Sequence, residues 1–209
     1  MYEIEKTSFT GLLAAMPRRL WADLRRLVRN GKFELVNNGI EILHARYKLS
    51  GVHEVSVNGL LVETTHNLIT VEGLNHLLDV GVHGASANAT WYVAAFQNNV
   101  SIQSTLTAAT FNGVCDELTT EISNVTRPEF VETAPSSGST NNAASPAIIT
   151  AASACSIWGA GIVSTNTKGD TSAAPAQVLL SAAKYSAVKS LSASGDTLGI
   201  KYTLTGTSS

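Results

Sequence analysis

The sequence predicts a mainly β protein: an antiparallel sandwich or jelly-roll-like body with an N-terminal amphipathic helix arm and one short internal helix. Three observations predict this fold class. A length of 209 residues suits a single all-β domain. Beyond residue 90, short apolar runs alternate with polar loops, as in sandwiches and jelly rolls. Only 14% of the residues are charged, so the chain relies on burial and close packing.

The N-terminal helix is predicted from about residue 17 to residue 30. Pro17 suits the first turn of a helix, and Gly31 ends the pattern. Apolar residues recur at three- and four-residue steps, which is the spacing of one helix face. These apolar residues are Leu13, Leu20, Leu24, Leu27 and Val28.

A basic surface with an aromatic edge occupies the remainder of this helix. An amphipathic helix of this kind suits docking into a groove, so we predict that it binds a partner protein. Contact of its arginines with packaged DNA, simple exposure to solvent, and binding to a membrane surface are the alternatives. The predicted partner-binding residues are Arg18, Arg19, Trp21, Arg25, Arg26 and Arg29.

Two β-hairpins are predicted to follow the helix. Residues 32–43 form two short strands around Asn38-Gly39, and residues 52–57 pair with residues 60–63 around Asn58-Gly59. An Asn-Gly dipeptide supplies the positive φ angles that a tight hairpin turn needs. The second pair of strands also has apolar residues at alternate positions, which supports the hairpin.

The short internal helix is predicted from residue 71 to residue 80. Thr70 is the expected N-cap, and glycines at 81 and 84 end the helix. The leucine spacing predicts that Leu74, Leu77 and Leu78 face the core.

The rest of the chain is predicted to form the remaining strands of the body. Residues 134–146 have no apolar periodicity and many turn-forming residues, so they are expected to be an exposed loop. The predicted strands are residues 91–96, 148–150, 156–164, 178–185 and 198–204.

The charges are unevenly distributed along the chain. Residues 1–50 carry nine Lys or Arg and five acids, whereas residues 51–209 carry five and eleven. No uninterrupted apolar run is long enough to span a membrane, and the acidic N-terminus does not resemble a signal peptide. The two cysteines, Cys115 and Cys155, lack the spacing of a zinc site and are expected to be reduced and buried.

No pattern in the sequence predicts a catalytic or cofactor site, so we expect a protein that is not an enzyme. The histidines at 44, 53, 66, 76 and 83 lack metal-ligand spacing. No nucleophile elbow or glycine-rich phosphate loop is present. The acid pairs Asp116 with Glu117 and Glu129 with Glu132 would suit glycoside hydrolysis, but solvated loop acids are the commoner interpretation.

Several segments resemble a known group of proteins. ILHARYKLSGV at 42–52, NLITVEGLNHLLD at 67–79, TWYVAAF at 90–96 and GDTLGIKYTLT at 195–205 look like small virion-associated structural proteins of tailed bacteriophages. Residues 107–110, 126–128 and 136–146 are similar to the same group, so the resemblance covers about residues 42–209. It implies a structural role and no catalytic residue.

The resemblance implies an organisation and a location. Residues 42–209 are the β-rich structural domain, and residues 1–41 are an added arm that anchors it. The expected role is capsid decoration or cementing, with attachment at the neck or tail as the other location. The expected partners are the major capsid protein or neck and tail proteins, with self-association and without cofactor or membrane. A receptor- or glycan-binding module is the rival function, in which Trp91, Tyr92 and Trp158 stack on sugars.

Overall fold

A computed structural model of the chain describes residues 33–36, 39–42 and 47–208. Among these residues the protein is mainly β, with two five-stranded antiparallel sheets, which confirms the predicted fold class at that level. Residues 49–206 form one compact unit, and the other described residues, 33–36, 39–42, 47, 48, 207 and 208, belong to a second one. The predicted arm helix at 17–30 lies outside the described residues.

A two-stranded hairpin is the first described element. Strands β1 (Phe33–Val36) and β2 (Gly39–Ile42) pair antiparallel, as the sequence predicted. Gly39, which the sequence placed in the turn, instead pairs with Val36 and is the first residue of β2.

The second hairpin is confirmed and is longer than predicted. Strand β3 (Tyr47–Val57) pairs with β4 (Leu60–His66), and Val57 lies opposite Leu60. Asn58 and Gly59 both have positive φ, at 49° and 82°. Two such residues in succession form the kind of turn whose twist matches that of the flanking strands.

The two sheets of the body are built mostly from chain-distant strands. The first has the order β5-β11-β10-β6-β7, and these strands are Leu68–Ile69, Leu179–Leu191, Cys155–Val163, Trp91–Phe96 and Glu129–Phe130. The second has the order β4-β3-β12-β8, with β9 also paired to β12. Its other strands are β12 (Thr197–Ser208), β8 (Ser139–Asn141) and β9 (Ala147–Thr150).

The main core lies between the two sheets. Val55, Ile149 and Tyr202 of the second sheet pack with Ile157 and Ile162 of the first in one buried cluster. The first sheet also buries its opposite face, where a smaller apolar cluster forms. Both faces of its central strands are therefore apolar, which explains why these segments read as continuous apolar runs in the sequence.

The predicted internal helix is present as α1 (Val71–Leu78), and a π-helical turn (Asp79–His83) continues it. Thr70 is its N-cap, since its hydroxyl accepts a hydrogen bond from the Gly73 amide at 2.9 Å. Gly84 ends the π-helical turn with a left-handed φ of 78°.

A second helix, α2 (Ala108–Cys115), was not predicted from the sequence. It covers the outer face of the first sheet, where Phe111 contacts Phe96 edge-on with ring centroids 5.9 Å apart. Its first amide, at Ala108, donates to the Glu72 carboxylate of α1 at 2.8 Å. This distant contact adds to a local capping box, in which the Thr107 amide donates to the Thr110 hydroxyl at 3.2 Å.

The polar segment 134–146 is only partly the exposed loop that the sequence predicted. It contains β8, which pairs with residues 203–205 of β12. Asn142 is buried and its side chain bonds the backbone of Ile200 and Tyr202. The remaining residues of the segment are mostly exposed.

Candidate functional site

A buried ion pair is the most elaborate polar contact in the described residues. The Arg127 guanidinium donates through Nε and Nη2 to the two carboxylate oxygens of Glu117, both at 2.7 Å. Each side chain is only 1% exposed. Two parallel bonds fix the orientation as well as the distance, and each charge neutralises the other away from water.

The ion pair also holds a neighbouring loop. Arg127 Nη1 donates to the carbonyl and hydroxyl oxygens of Thr165, at 3.0 and 2.9 Å, and the Gly169 amide donates to Glu117 at 2.9 Å. Lys168 of the same loop donates to the carbonyl oxygens of Thr119 and Asn124. These contacts tie residues 165–169 to the segment 117–127, so the cluster is a structural brace.

This geometry corrects the expectation that the acid pairs are solvated loop acids for one of the four residues, Glu117. Glu117 is buried and fully engaged by its partners, whereas Asp116, Glu129 and Glu132 are exposed. The ion-pair partner of Glu117 lies ten residues further along the chain, at Arg127. No spacing pattern in the sequence predicts such an ion pair within an irregular segment.

The histidines are dispersed over separate elements. His53 is buried, His66 and His83 are exposed, and His76 contacts Trp91 edge-on, while His44 lies outside the described residues. Among the described residues, no group of three or more His, Cys, Asp or Glu side chains could hold a metal ion.

His53 packs inside the sandwich against Tyr202, with ring centroids 5.0 Å apart. Neither of its ring nitrogens has a hydrogen-bond partner in the described part of the chain. Burial lowers the pKa of His53 to about 4, because the charged imidazolium would lose its hydration there.

The two cysteine thiols are free. Cys115 is buried as expected, and burial raises its pKa to about 12. Cys155 is only partly buried, so the prediction of two buried thiols is correct for one of them.

The aromatic residues expected to stack on sugars do not form one platform. Trp91 packs against the main core, whereas Tyr92 and Trp158 pack against the smaller cluster on the opposite face. Tyr92 pairs with Val163 at one end of the β6–β10 ladder, and Trp158 lies beyond its other end, where Phe96 pairs with Gly159. All three side chains are half-buried.

An exposed apolar stripe on α1 is the clearest candidate for an interaction surface. Gly73 lies against the backbone of Leu180, so this side of the helix faces β11. At 100° per residue, the apolar residues on the far side point away from the body. Val82 is 83% exposed and Leu78 is 52% exposed. We call Val71, Leu74 and Leu78 of α1, together with Val82 of the π-helical turn, the α1 stripe.

The α1 stripe corrects the prediction that Leu74, Leu77 and Leu78 all face the core. Leu77 does pack against the main core, but Leu74 and Leu78 are exposed. A leucine stripe has the same periodicity whether it faces a core or a partner. The sequence therefore located the helix without deciding which of its faces the body covers.

A groove of about 540 Å³ runs along one flank of α1. Helix residues Glu72, His76 and Asp79 line one wall, and residues including Thr105, Pro175 and Val178 line the other. The Glu72 carboxylate is occupied by hydrogen bonds within the protein, because its Oε2 accepts from the amides of Ala108 and Leu179 at 2.8 and 2.7 Å. The exposed carboxylate of Asp79 leaves an acidic rim beside the α1 stripe.

A second exposed apolar surface lies on strand β4, at the end of its sheet. Leu60, Leu61 and Val62 are consecutive and exposed, with Leu60 74% exposed. We call these three residues the β4 edge. Asn67 alone separates β4 from β5, the terminal strand of the other sheet, so both sheets end on this side of the body.

The predicted partner-binding residues of the arm, Arg18, Arg19, Trp21, Arg25, Arg26 and Arg29, lie outside the described residues. Within the described part of the chain, no helix combines the length and apolarity needed to cross a membrane. A scan against protein-family models finds no matching family, and a search of curated proteins finds no match. The resemblance to virion-associated proteins stays a prediction.

Proposed function

We propose that this chain is a structural component of a tailed bacteriophage virion. It decorates or cements the capsid through protein–protein contacts and performs no catalysis. It is assembled in the host cytoplasm, binds the major capsid protein, and self-associates. The jelly-roll form of the sandwich belongs to this proposal, as does the role of residues 1–41 as the anchoring arm.

One observation carries the proposal: apolar side chains are concentrated on exposed elements between residues 60 and 82. This stretch contains both the β4 edge and the α1 stripe. Exposed apolar clusters of this kind usually mark surfaces that a partner covers. An unpaired edge strand rich in apolar residues is also a site where another chain can add a strand.

The braced body supports the same function. The buried Arg127–Glu117 pair holds residues 117–127 and 165–169 together, so these irregular segments keep a defined shape. Contacts that are weak in one copy become strong when symmetry repeats them around a particle. A decorating protein needs both a persistent shape and a repeated contact surface.

Copy number in purified particles tests the proposal and separates its two locations. Quantitative mass spectrometry, scaled to the major capsid protein, is expected to find hundreds of copies per particle, as capsid symmetry requires. About six or twelve copies would instead place the protein at the neck or tail. Complete absence from particles overturns the proposal.

Deletion of residues 1–41 tests the role of the arm. We expect the truncated protein to fold and to be incorporated less efficiently than the full chain. Circular dichroism of the purified variant checks folding, and mass spectrometry of particles checks incorporation. Normal incorporation of a folded, truncated protein would refute an anchoring role for the arm.

A further inference from the structure

The α1 stripe lies in a part of the chain that carries no basic residue. Between residues 49 and 126 there are seven acids and no Lys or Arg. Two lysines of β11 are already engaged, since Lys189 pairs with Glu63 at 2.5 Å and Lys184 lies over the Trp158 ring. The exposed Asp79 carboxylate is therefore the charge that a partner of the α1 stripe would meet in the adjoining groove.

This combination fits a basic amphipathic helix. A partner helix of this kind places apolar residues against an apolar stripe and its cations against acidic neighbours. Arginine suits such a rim, because its aliphatic stem covers apolar surface while the guanidinium reaches a carboxylate. The exposed carboxylate of Asp79 lies where such a contact would form.

We propose that the α1 stripe is the docking site for the predicted helix at residues 17–30 of a second copy of this chain. That segment has four leucine or valine residues at helical spacing and five arginines, and it contains one acid, Asp23. Its arginines would meet the exposed Asp79 carboxylate beside the stripe, and both partners occur in every copy. A contact from the arm of one copy to the body of another links identical subunits without any further component.

Sedimentation velocity of the full chain over a range of concentrations tests this contact. We expect reversible self-association that weakens about tenfold or more between low and high salt, because the rim contacts are charged. The stripe variant, Leu74→Ser with Leu78→Ser, is expected to lose self-association. The arm variant, in which the five arginines at 18, 19, 25, 26 and 29 become Glu, is expected to lose it as well.

Mixing the two variants tests whether self-association comes from the arm of one copy binding the stripe of another. The stripe variant keeps an intact arm, and the arm variant keeps an intact stripe. If the arm of one copy binds the stripe of another, the mixture forms a heterodimer although neither variant associates alone. A mixture that stays monomeric overturns the proposal, and so does a stripe variant that associates like the wild type.

Matched controls keep the result interpretable. Val125→Ser removes an even more exposed apolar side chain, at 91%, from a loop outside α1, and it should leave self-association unchanged. Thermal melting verifies that each variant is folded. If the double serine variant does not fold, Val82→Glu at the most exposed stripe position replaces it. The inference rests on the self-association that belongs to the proposed function, and it can fail separately, since particle copy number and self-association in solution are measured independently.

Discussion

Arg127 and Glu117 form a bidentate ion pair inside the protein, with both bonds at 2.7 Å and both side chains almost completely buried. Removing one partner leaves an uncompensated charge in the interior, which costs more than the intact pair contributes. The pair therefore allows a direct test of whether the brace between residues 117–127 and 165–169 stabilises the body.

Arg127→Met should lower the free energy of unfolding by about 3–5 kcal/mol, because Glu117 is left buried without its counter-ion. The double variant Arg127→Met with Glu117→Leu should recover part of this loss. Denaturant-induced unfolding followed by circular dichroism measures both. Lys201→Met is the control, since it breaks a half-exposed contact with Glu54 at 3.8 Å and should cost less than about 1 kcal/mol. Equal effects of the two Met variants would contradict a stabilising brace.

His53 should make stability fall as the pH is lowered from about 6.5 to about 4. Its pKa is about 4 in the folded protein and 6.5 ordinarily, so the unfolded chain takes up the proton first. The free energy of unfolding has its full value at pH values above the pKa of His53 in the unfolded chain. Lowering the pH to 4 reduces it by about 3 kcal/mol.

The measurement compares pH-dependent unfolding of the wild type with that of His53→Leu, which should lack this loss. His66→Gln alters an exposed histidine and should keep the wild-type slope. A wild-type slope in His53→Leu would show that other groups cause the pH dependence.

Gly159→Ala should destabilise the protein, since a Cβ at this position would overlap the Ala183 carbonyl oxygen and the Phe96 ring. Overpacking of this kind costs about 1–3 kcal/mol. In Gly113→Ala, by contrast, the new Cβ meets no atom within 4 Å, and α2 should be unchanged or slightly more stable. Thermal unfolding of both variants gives the comparison, and an unaffected Gly159→Ala protein would refute the close approach of β6, β10 and β11.

Thiol labelling should separate the two cysteines. Cys115 is buried with its pKa raised to about 12, so it should react with a disulfide reagent only when the protein unfolds. Cys155 is half-buried and should react first, although burial raises its pKa as well. Each of the variants Cys115→Ala and Cys155→Ala keeps one thiol, so labelling them in native buffer assigns a reaction rate to each cysteine. Rapid native labelling of Cys115 would contradict the packing of α2 on the first sheet.

Local signals in the sequence predicted the elements that depend on neighbouring residues. Asn58-Gly59 predicted the second hairpin because the turn conformation depends on those two residues. Thr70 predicted the start of α1 because its hydroxyl caps a residue only three positions away. The alternating strands after residue 90 predicted a mainly β body for the same reason.

Elements stabilised by distant residues were missed. Helix α2 has a local capping box between Thr107 and Thr110, but its first amide also donates to Glu72 in another part of the chain. Strand β8 has no apolar pattern, and it forms because β12 offers it a free edge. The hydrophobic periodicity within either segment does not predict a contact with a residue far away in the sequence.

The sequence by itself determined the mainly β class, the second hairpin, the internal helix with its cap, and the uneven charge, because each depends on composition or on nearby residues. Only the tertiary structure decided that Glu117 is buried against Arg127 and that Leu74 and Leu78 are exposed. The physical reason is common to both: burial depends on which distant surfaces meet, and hydrophobic periodicity shows that a face is apolar without showing what covers it.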